Sequence, residues 1–182
     1  MNNKVNFKNT ALVVTDVQEK LFNSMHEKEQ LKQNLIKLVK GFEILQIPAI
    51  FLEQNPKGLG NTIPEIKNLG FMPVKFEKMT FGIKNHEKFF SHINKMKIKD
   101  IFICGIEAHV CVMQCTRDLI KNGQNVHLVS DCVSSRNEKN LKTGIKRMIY
   151  EKAVISSCET ALFEMLETCE RKEFKQILEL VK

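Results

Sequence analysis

Short apolar runs alternate with stretches of helical period along this chain. The run Ala11–Thr15 (ALVVT) ends abruptly at Asp16. Residues 29–45 place Leu31, Leu35, Leu38, Val39 and Phe42 at helical spacing, which predicts an amphipathic helix. Ile47–Leu52 and Asp100–Cys104 read as buried strands, with a short strand at Pro73–Phe76 between them. Helices are predicted at 84–96, Val110–Lys121 and Asn137–Ile149, alternating with strands at Asn125–Val129 and Ala153–Ile155. Two further helices, 159–167 and 171–181, close the chain.

Parallel strands need crossover connections, so this alternation predicts a parallel sheet with helices on both faces. Right-handed crossovers then give a Rossmann-like three-layer α/β/α sandwich around a mostly parallel sheet of about six strands. Residues 1–182 form one domain without repeats or linkers. The irregular stretch Glu53–Gly70, carrying Pro and Gly, reads as a functional loop. Ligands in such folds bind at the carboxyl ends of the strands, near the switch in strand order. That rule selects Asp16, Glu53, Lys78 just past the third strand, the segment Gly105–Cys111, and Asp131 after the fifth strand.

Composition narrows the class. Hydrophobic residues at 43% and charged residues at 27% are ordinary for a soluble globular protein. No apolar run is long enough to span a bilayer, and residues 1–10 (MNNKVNFKNT) lack the apolar segment of a signal peptide, so a cytoplasmic setting without membrane partners is expected. Six cysteines without a CxxC pair point to reduced thiols, most of them packed, rather than to disulfides or zinc. The net charge of +7 comes mainly from Lys spread along helix faces, the pattern of a solvated surface more than of a nucleic-acid site.

The segment 103–118 (ICGIEAHVCVMQCTRD) carries the chemistry. A buried strand runs into Gly105, and a helix begins near His109 or Val110, so Cys111 falls in the first helical turn. The unpaired N–H groups and positive dipole end there favour a thiolate and an oxyanion. Taken alone, a cysteine in that position is more often packing than catalysis.

GIEAHVCVMQ (105–114) resembles the nucleophile motif of isochorismatase-like cysteine hydrolases. VVTDVQEKLF (13–22) resembles that family's opening strand with its catalytic Asp, and FEKMTFG (76–82) its lysine motif. SDCVSSRNEKNLKTGIKRM (130–148) and SSCETALFEML (156–166) resemble later segments. The resemblance implies Cys111 as nucleophile, Asp16 as general base and Lys78 as electrostatic partner, acting on a small amide or related C–N substrate. It also implies a cis Ile106–Glu107 bond, with the backbone N–H groups of Glu107 and Cys111 as oxyanion hole, and assembly into a homo-oligomer.

EQNPKGLGNTIPEI (53–66) resembles a branch other than the metal-containing nicotinamidases, which carry Asp-x-His where this chain has Glu53-Gln54-Asn55. No metal and no other cofactor is therefore expected. Isochorismate-cleaving members lack the cysteine, so Cys111 argues against that reaction.

Other residues have two readings each. Glu53 and Asn55 either orient a polar substrate group or build the loop, and Gln18 contacts substrate or Asp16. Phe22 and Phe81 line an apolar pocket or belong to the core. His109 reads as a structural or rim residue rather than a Cys–His partner, and Cys115, one turn beyond Cys111, as packing against the sheet rather than a thiol resolving a sulfenic acid. The apolar face of Phe174, Ile177, Leu178 and Val181 suits an interface or the monomer's own core. Three functions remain: a cysteine hydrolase of a small-molecule substrate, a catalytically idle oligomeric scaffold, and, supported only by charge, a nucleic-acid-binding protein.

Overall fold

Six strands, each apolar on both faces except at the sheet edges, lie parallel in one sheet. They are β1 (Thr10–Thr15), β2 (Ala49–Gln54), β3 (Val74–Lys78), β4 (Asp100–Ile106), β5 (Asn125–Ser134) and β6 (Val154–Ser156), ordered β3-β2-β1-β4-β5-β6. The computed structural model describes residue 5, residues 7–69 and residues 73–182. Residues 1–4 and 6 of the polar amino-terminal stretch, and Gly70 of the expected loop, lie outside them.

The period-2 geometry of a strand sends alternate residues to opposite faces. Leu12 and Val14 of β1 therefore join one core and Ala11 and Val13 the other. The first core is closed by α2 (Lys28–Ile44), α8 (Cys158–Leu166) and α9 (Phe174–Val181). The second is closed by α5 (Glu87–Lys95), α6 (Met113–Lys121) and α7 (Glu138–Tyr150). Ile177 is buried in the first core with Phe174 and Val181 against it, so α9 completes the monomer. Helix starts follow capping chemistry: the side chains of Asn137 and Ser157 accept the N–H groups of Asn140 and Thr160 at the heads of α7 and α8. No helix of the described residues is long and apolar enough to cross a membrane.

The polar strand ends are where sequence and structure part. β3 is an edge strand, so its sequence VKFEK need not be apolar, and Lys78 is its last residue rather than lying beyond it. β5 runs on through a register shift to Ser134, so Asp131 lies inside the strand, where its Oδ1 accepts the Cys158 N–H. The stretch after β2 is not wholly irregular. It holds two single-turn helices, α3 (Pro56–Leu59) and α4 (Pro64–Lys67), each opened by a proline at its start. A further short helix, α1 (Glu19–Phe22), follows β1.

Candidate active site

The strand order reverses between β1 and β4, and the candidate residues gather at the carboxyl ends around that point. Asp16 follows β1 in the left-handed region (φ 56), a conformation costing a non-glycine residue ~1–2 kcal/mol. Its N–H donates to Leu52 O at 2.9 Å, and its carbonyl accepts the Gln18 N–H at 2.7 Å. Lys78 reaches across β2 and donates from Nζ to Asp16 Oδ2 at 2.6 Å, fully inside the protein. The same ammonium meets Gln54 Oε1 at 3.0 Å and the carbonyls of Thr80 and Phe81 at 3.3 Å each. Its donors are thus spent on the site's own frame. Asp16 Oδ1 is buried without a hydrogen-bond partner.

Cys111 arrives from β4. Gly105 pairs with Thr15 in the neighbouring strand at φ 135, and a Cβ there would stand 2.1 Å from Thr15 O. Only glycine fits both the conformation and the space. The next turn departs from expectation: the Ile106–Glu107 bond is trans, with no cis peptide among the described residues. The chain reverses instead through Glu107 in the left-handed region (φ 53, ψ 56), which opens a π-helix at Ala108–Val112 leading into α6. Gly144 of α7 admits the backbone of Ala108 and His109, which a Cβ would approach to 2.7 Å. Cys111, 5% exposed, points its Sγ toward Gln54 Oε1 at 4.0 Å. Its N–H donates to Glu107 O at 2.9 Å, which takes one of the two expected oxyanion donors out of use in this conformation.

Electrostatics also differ from the expected thiolate. Burial pushes the Cys111 thiol well up, and the adjacent Asp16 charge pushes it further, while Lys78 only partly opposes them. Burial likewise raises the Asp16 carboxyl above its ordinary 3.8, against the opposing charge and hydrogen bond of Lys78. The resting pair is therefore a thiol beside a carboxyl whose affinity for a proton is enhanced.

The remaining sequence candidates scatter. Gln18 is buried, with Nε2 on the carbonyls of Gln54 (3.0 Å) and Gly60 (2.6 Å) and Oε1 accepting the Gln54 N–H (2.8 Å), so it fastens the chain after β1 to β2. Glu53 accepts from the Thr62 N–H (2.9 Å) and hydroxyl (2.6 Å) and from Lys75 (3.4 Å). Asn55 opens α3 in the left-handed region. Phe22 is in the core, whereas Phe81 is exposed. His109 Nδ1 lies 3.0 Å from Ser135 Oγ and 3.4 Å from Glu107 Oε2. Cys115 is buried with its Sγ 3.7 Å from Phe81 O. Among the described residues no group of three or more His, Cys, Asp or Glu is placed to hold a metal ion.

Sequence reasoning passed over Gln54, the residue that touches both Lys78 and Cys111. The signal was register: Gln54 is the cross-strand partner of Lys78 in β3. Asp118 was missed too. Its Oδ2 accepts the Ile83 N–H at 2.8 Å and ties the loop after Lys78 to α6.

A doubly wound sheet with buried Asp16, Lys78 and Cys111 around its switch point is an α/β fold whose candidate site lies where such folds bind ligands. The chain belongs to the isochorismatase family, whose domain matches residues 10–160. Isochorismatase family protein 1A of Dictyostelium discoideum is 35% identical over 178 residues, covering 94% of this chain and 86% of the relative. Among solved structures, the MAR1 ribonuclease of Caenorhabditis elegans superposes with a TM-score of 0.90 at 33% identity, covering 98% of this chain and 92% of that one. YcaC of Escherichia coli, described as an octameric hydrolase of unknown specificity, superposes at 0.92 over 99% of this chain and 91% of its own. At 18% identity that likeness concerns the fold alone.

Proposed function

We propose that this protein is a cysteine hydrolase that cleaves a small amide or related C–N substrate through an acyl-enzyme on Cys111. The observation that carries the reading is the Lys78–Asp16 ion pair, 2.6 Å long and buried, beside the Cys111 thiol. Burying two charges is costly and seldom improves stability over apolar packing, so a pair placed against a nucleophile argues for chemistry.

Because burial and the adjacent Asp16 charge hold the Cys111 thiol protonated, and burial strengthens Asp16 as a proton acceptor, attack and proton transfer go together. Sγ bonds to the substrate carbonyl carbon as its proton passes to Asp16, and the carbonyl oxygen takes the negative charge at the head of the helix. Asp16 returns the proton to the leaving nitrogen, the C–N bond breaks, and a thioester remains. Water then attacks the thioester, giving a proton to Asp16. The C–S bond breaks, the acid departs, and Asp16 reprotonates the sulfur. Lys78 keeps Asp16 oriented and balances its charge throughout, with Gln54 holding Lys78.

The test is ammonia or amine release across a panel of small amides. The account expects turnover that disappears in Cys111→Ala and Asp16→Asn. Turnover that survives both would overturn it, and a wild type without turnover on any amide, whose fold tolerates both changes, would favour the idle scaffold. A ribonuclease reading has its own support in the net charge of +7 and the likeness to the protein named MAR1 ribonuclease. It requires RNA binding that weakens steeply with salt and RNA cleavage that fails in Cys111→Ala. We also assign the protein a cytoplasmic setting, supported by its free cysteines, and a homo-oligomeric state, supported by the exposed Tyr150, Val154 and Ile155 around edge strand β6.

A further inference from the structure

A second group of thiols lies in the first core, across the sheet from α6, and takes no part in the triad chemistry. Its position follows from the irregularity of β5. Between the Ile103–Leu128 and Gly105–Val133 pairings the register with β4 shifts, and β5 carries extra residues that β4 does not match. A bulge of this kind re-aims side chains. Here Cys132 enters the first core together with Cys104 of β4 and Cys158, the first residue of α8. The thiols of Cys132 and Cys158 lie within hydrogen-bonding reach of each other, and Cys104 is near enough to act electrostatically on both.

Polar bonds hold the two chain segments in this arrangement. Asp131 Oδ1 accepts the Cys158 N–H at 2.7 Å, and the Asp131 carbonyl accepts the Asn34 side chain at 2.8 Å. The Cys158 thiol in turn faces Asn34 O at 3.7 Å. A free cysteine is commonly a small buried hydrophobe. Two of them brought together by a polar frame meet a further requirement, because a disulfide forms between cysteines whose backbones already stand close. Exposure orders the chemistry: Cys158 is 5% exposed, whereas Cys104 and Cys132 are fully buried. Burial also pushes the Cys132 thiol well up. A small oxidant therefore reaches Cys158 first, and Cys132 is the neighbour placed to resolve it.

We propose that Cys132 and Cys158 form a redox-modification site, which a hydroperoxide converts to a reversible disulfide stapling β5 to the head of α8. Hydrogen peroxide transfers one oxygen to the Cys158 sulfur, leaving a sulfenic acid and releasing water. The Cys132 sulfur then attacks the Cys158 sulfur. The S–S bond forms as the S–O bond breaks, and the departing hydroxide leaves as water with the Cys132 proton. The two thiols lose two electrons and two protons, and the peroxide is reduced to two waters. A thiol reductant reverses the change, so in reducing surroundings the pair rests as the free cysteines seen here. β5 runs on from Cys132 to Ser134, and the next residue, Ser135, meets His109 at 3.0 Å, so the staple secures a strand that supports the active-site turn. The site does not include Cys111 and stands or falls apart from the hydrolase reading.

Hydrogen peroxide is the probe. The folded, full-length protein is treated, unfolded in iodoacetamide, digested and read by mass spectrometry without reduction. The expected product is a peptide pair joined through Cys132 and Cys158, released by dithiothreitol, with Cys104 alkylated as a free thiol. Cys158→Ala abolishes the link and leaves Cys132 a thiol, whereas Cys132→Ala leaves Cys158 as a sulfenic acid that dimedone traps. Wild type alone decides the matter if either variant fails to fold. In the urea-unfolded chain, loop closure favours Cys169 as the partner nearer in sequence to Cys158, so a Cys132–Cys158 pair that predominates in the folded protein and is lost in urea supports the site. Oxidation of Cys169 while Cys132 and Cys158 stay free thiols overturns it. So does a Cys158 linked to Cys104, or a Cys132–Cys158 pair no more abundant in the folded than in the unfolded chain.

Discussion

Replacing Lys78 with Met removes the opposite charge that faces Asp16 while keeping most of the side-chain volume. In the wild type the ammonium bonds Asp16 at 2.6 Å, and neither group is exposed. Breaking such a pair from one side costs ~3–5 kcal/mol at neutral pH, because the other charge stays buried without compensation. That is a large share of the ~5–15 kcal/mol that holds a domain folded. For a chain of this size it lowers Tm by roughly 6–20 °C.

The pH dependence identifies the cause. Burial already raises the native carboxyl of Asp16 above 3.8, so stability is lost as pH rises from 3.8 through the native value. Without Lys78 the native value climbs further and that loss deepens, so the variant regains stability on acidification more than wild type does. Urea unfolding at pH 7 and at pH 5 measures both effects. A second change, Asp16→Asn, removes the stranded charge, so the double variant is more stable at pH 7 than Lys78→Met alone. A loss below about 1 kcal/mol with no pH dependence, the behaviour of an exposed pair, would refute the reasoning.

Gly105→Ala places a Cβ 2.1 Å from Thr15 O at φ 135, so it lowers stability and turnover together, seen by thermal melting and amide hydrolysis. Gln18→Leu strands the N–H of Gln54 and the carbonyls of Gln54 and Gly60, a loss of about 2–4 kcal/mol in urea unfolding. Gln54→Leu frees Lys78 from one acceptor and removes the group beside Cys111 Sγ, and kcat falls more than KM rises. The acidic limb of kcat/KM is displaced upward from the ordinary Asp value, reflecting the raised Asp16, and disappears with activity in Asp16→Asn.

The sheet was legible because parallel strands buried on both faces read as continuous apolar runs, and Asp16 and Gly105–Cys111 follow two such runs directly. Lys78 and Gln54 were harder to place, since β3 is a polar edge strand and its register with β2 appears only once the sheet is built. Glu53 and Gln18 illustrate a different limit. Both stand at a strand end or just beyond it, where polar side chains read as candidates for ligands, yet their atoms are consumed in fastening the chain between β2 and α4. The protonation of Cys111 was the least accessible feature. Position at a helix start argues for a thiolate, and only the three-dimensional burial beside Asp16 reverses the sign.

The most direct test is the pH dependence of iodoacetamide alkylation at Cys111 in wild type, Asp16→Asn and Lys78→Met, with Cys169 as the exposed reference. The account predicts an apparent thiol pKa at Cys111 above that of Cys169, lowered by Asp16→Asn and raised by Lys78→Met, even though both variants lose hydrolysis. A Cys111 that titrates like Cys169 and ignores both substitutions would contradict the triad.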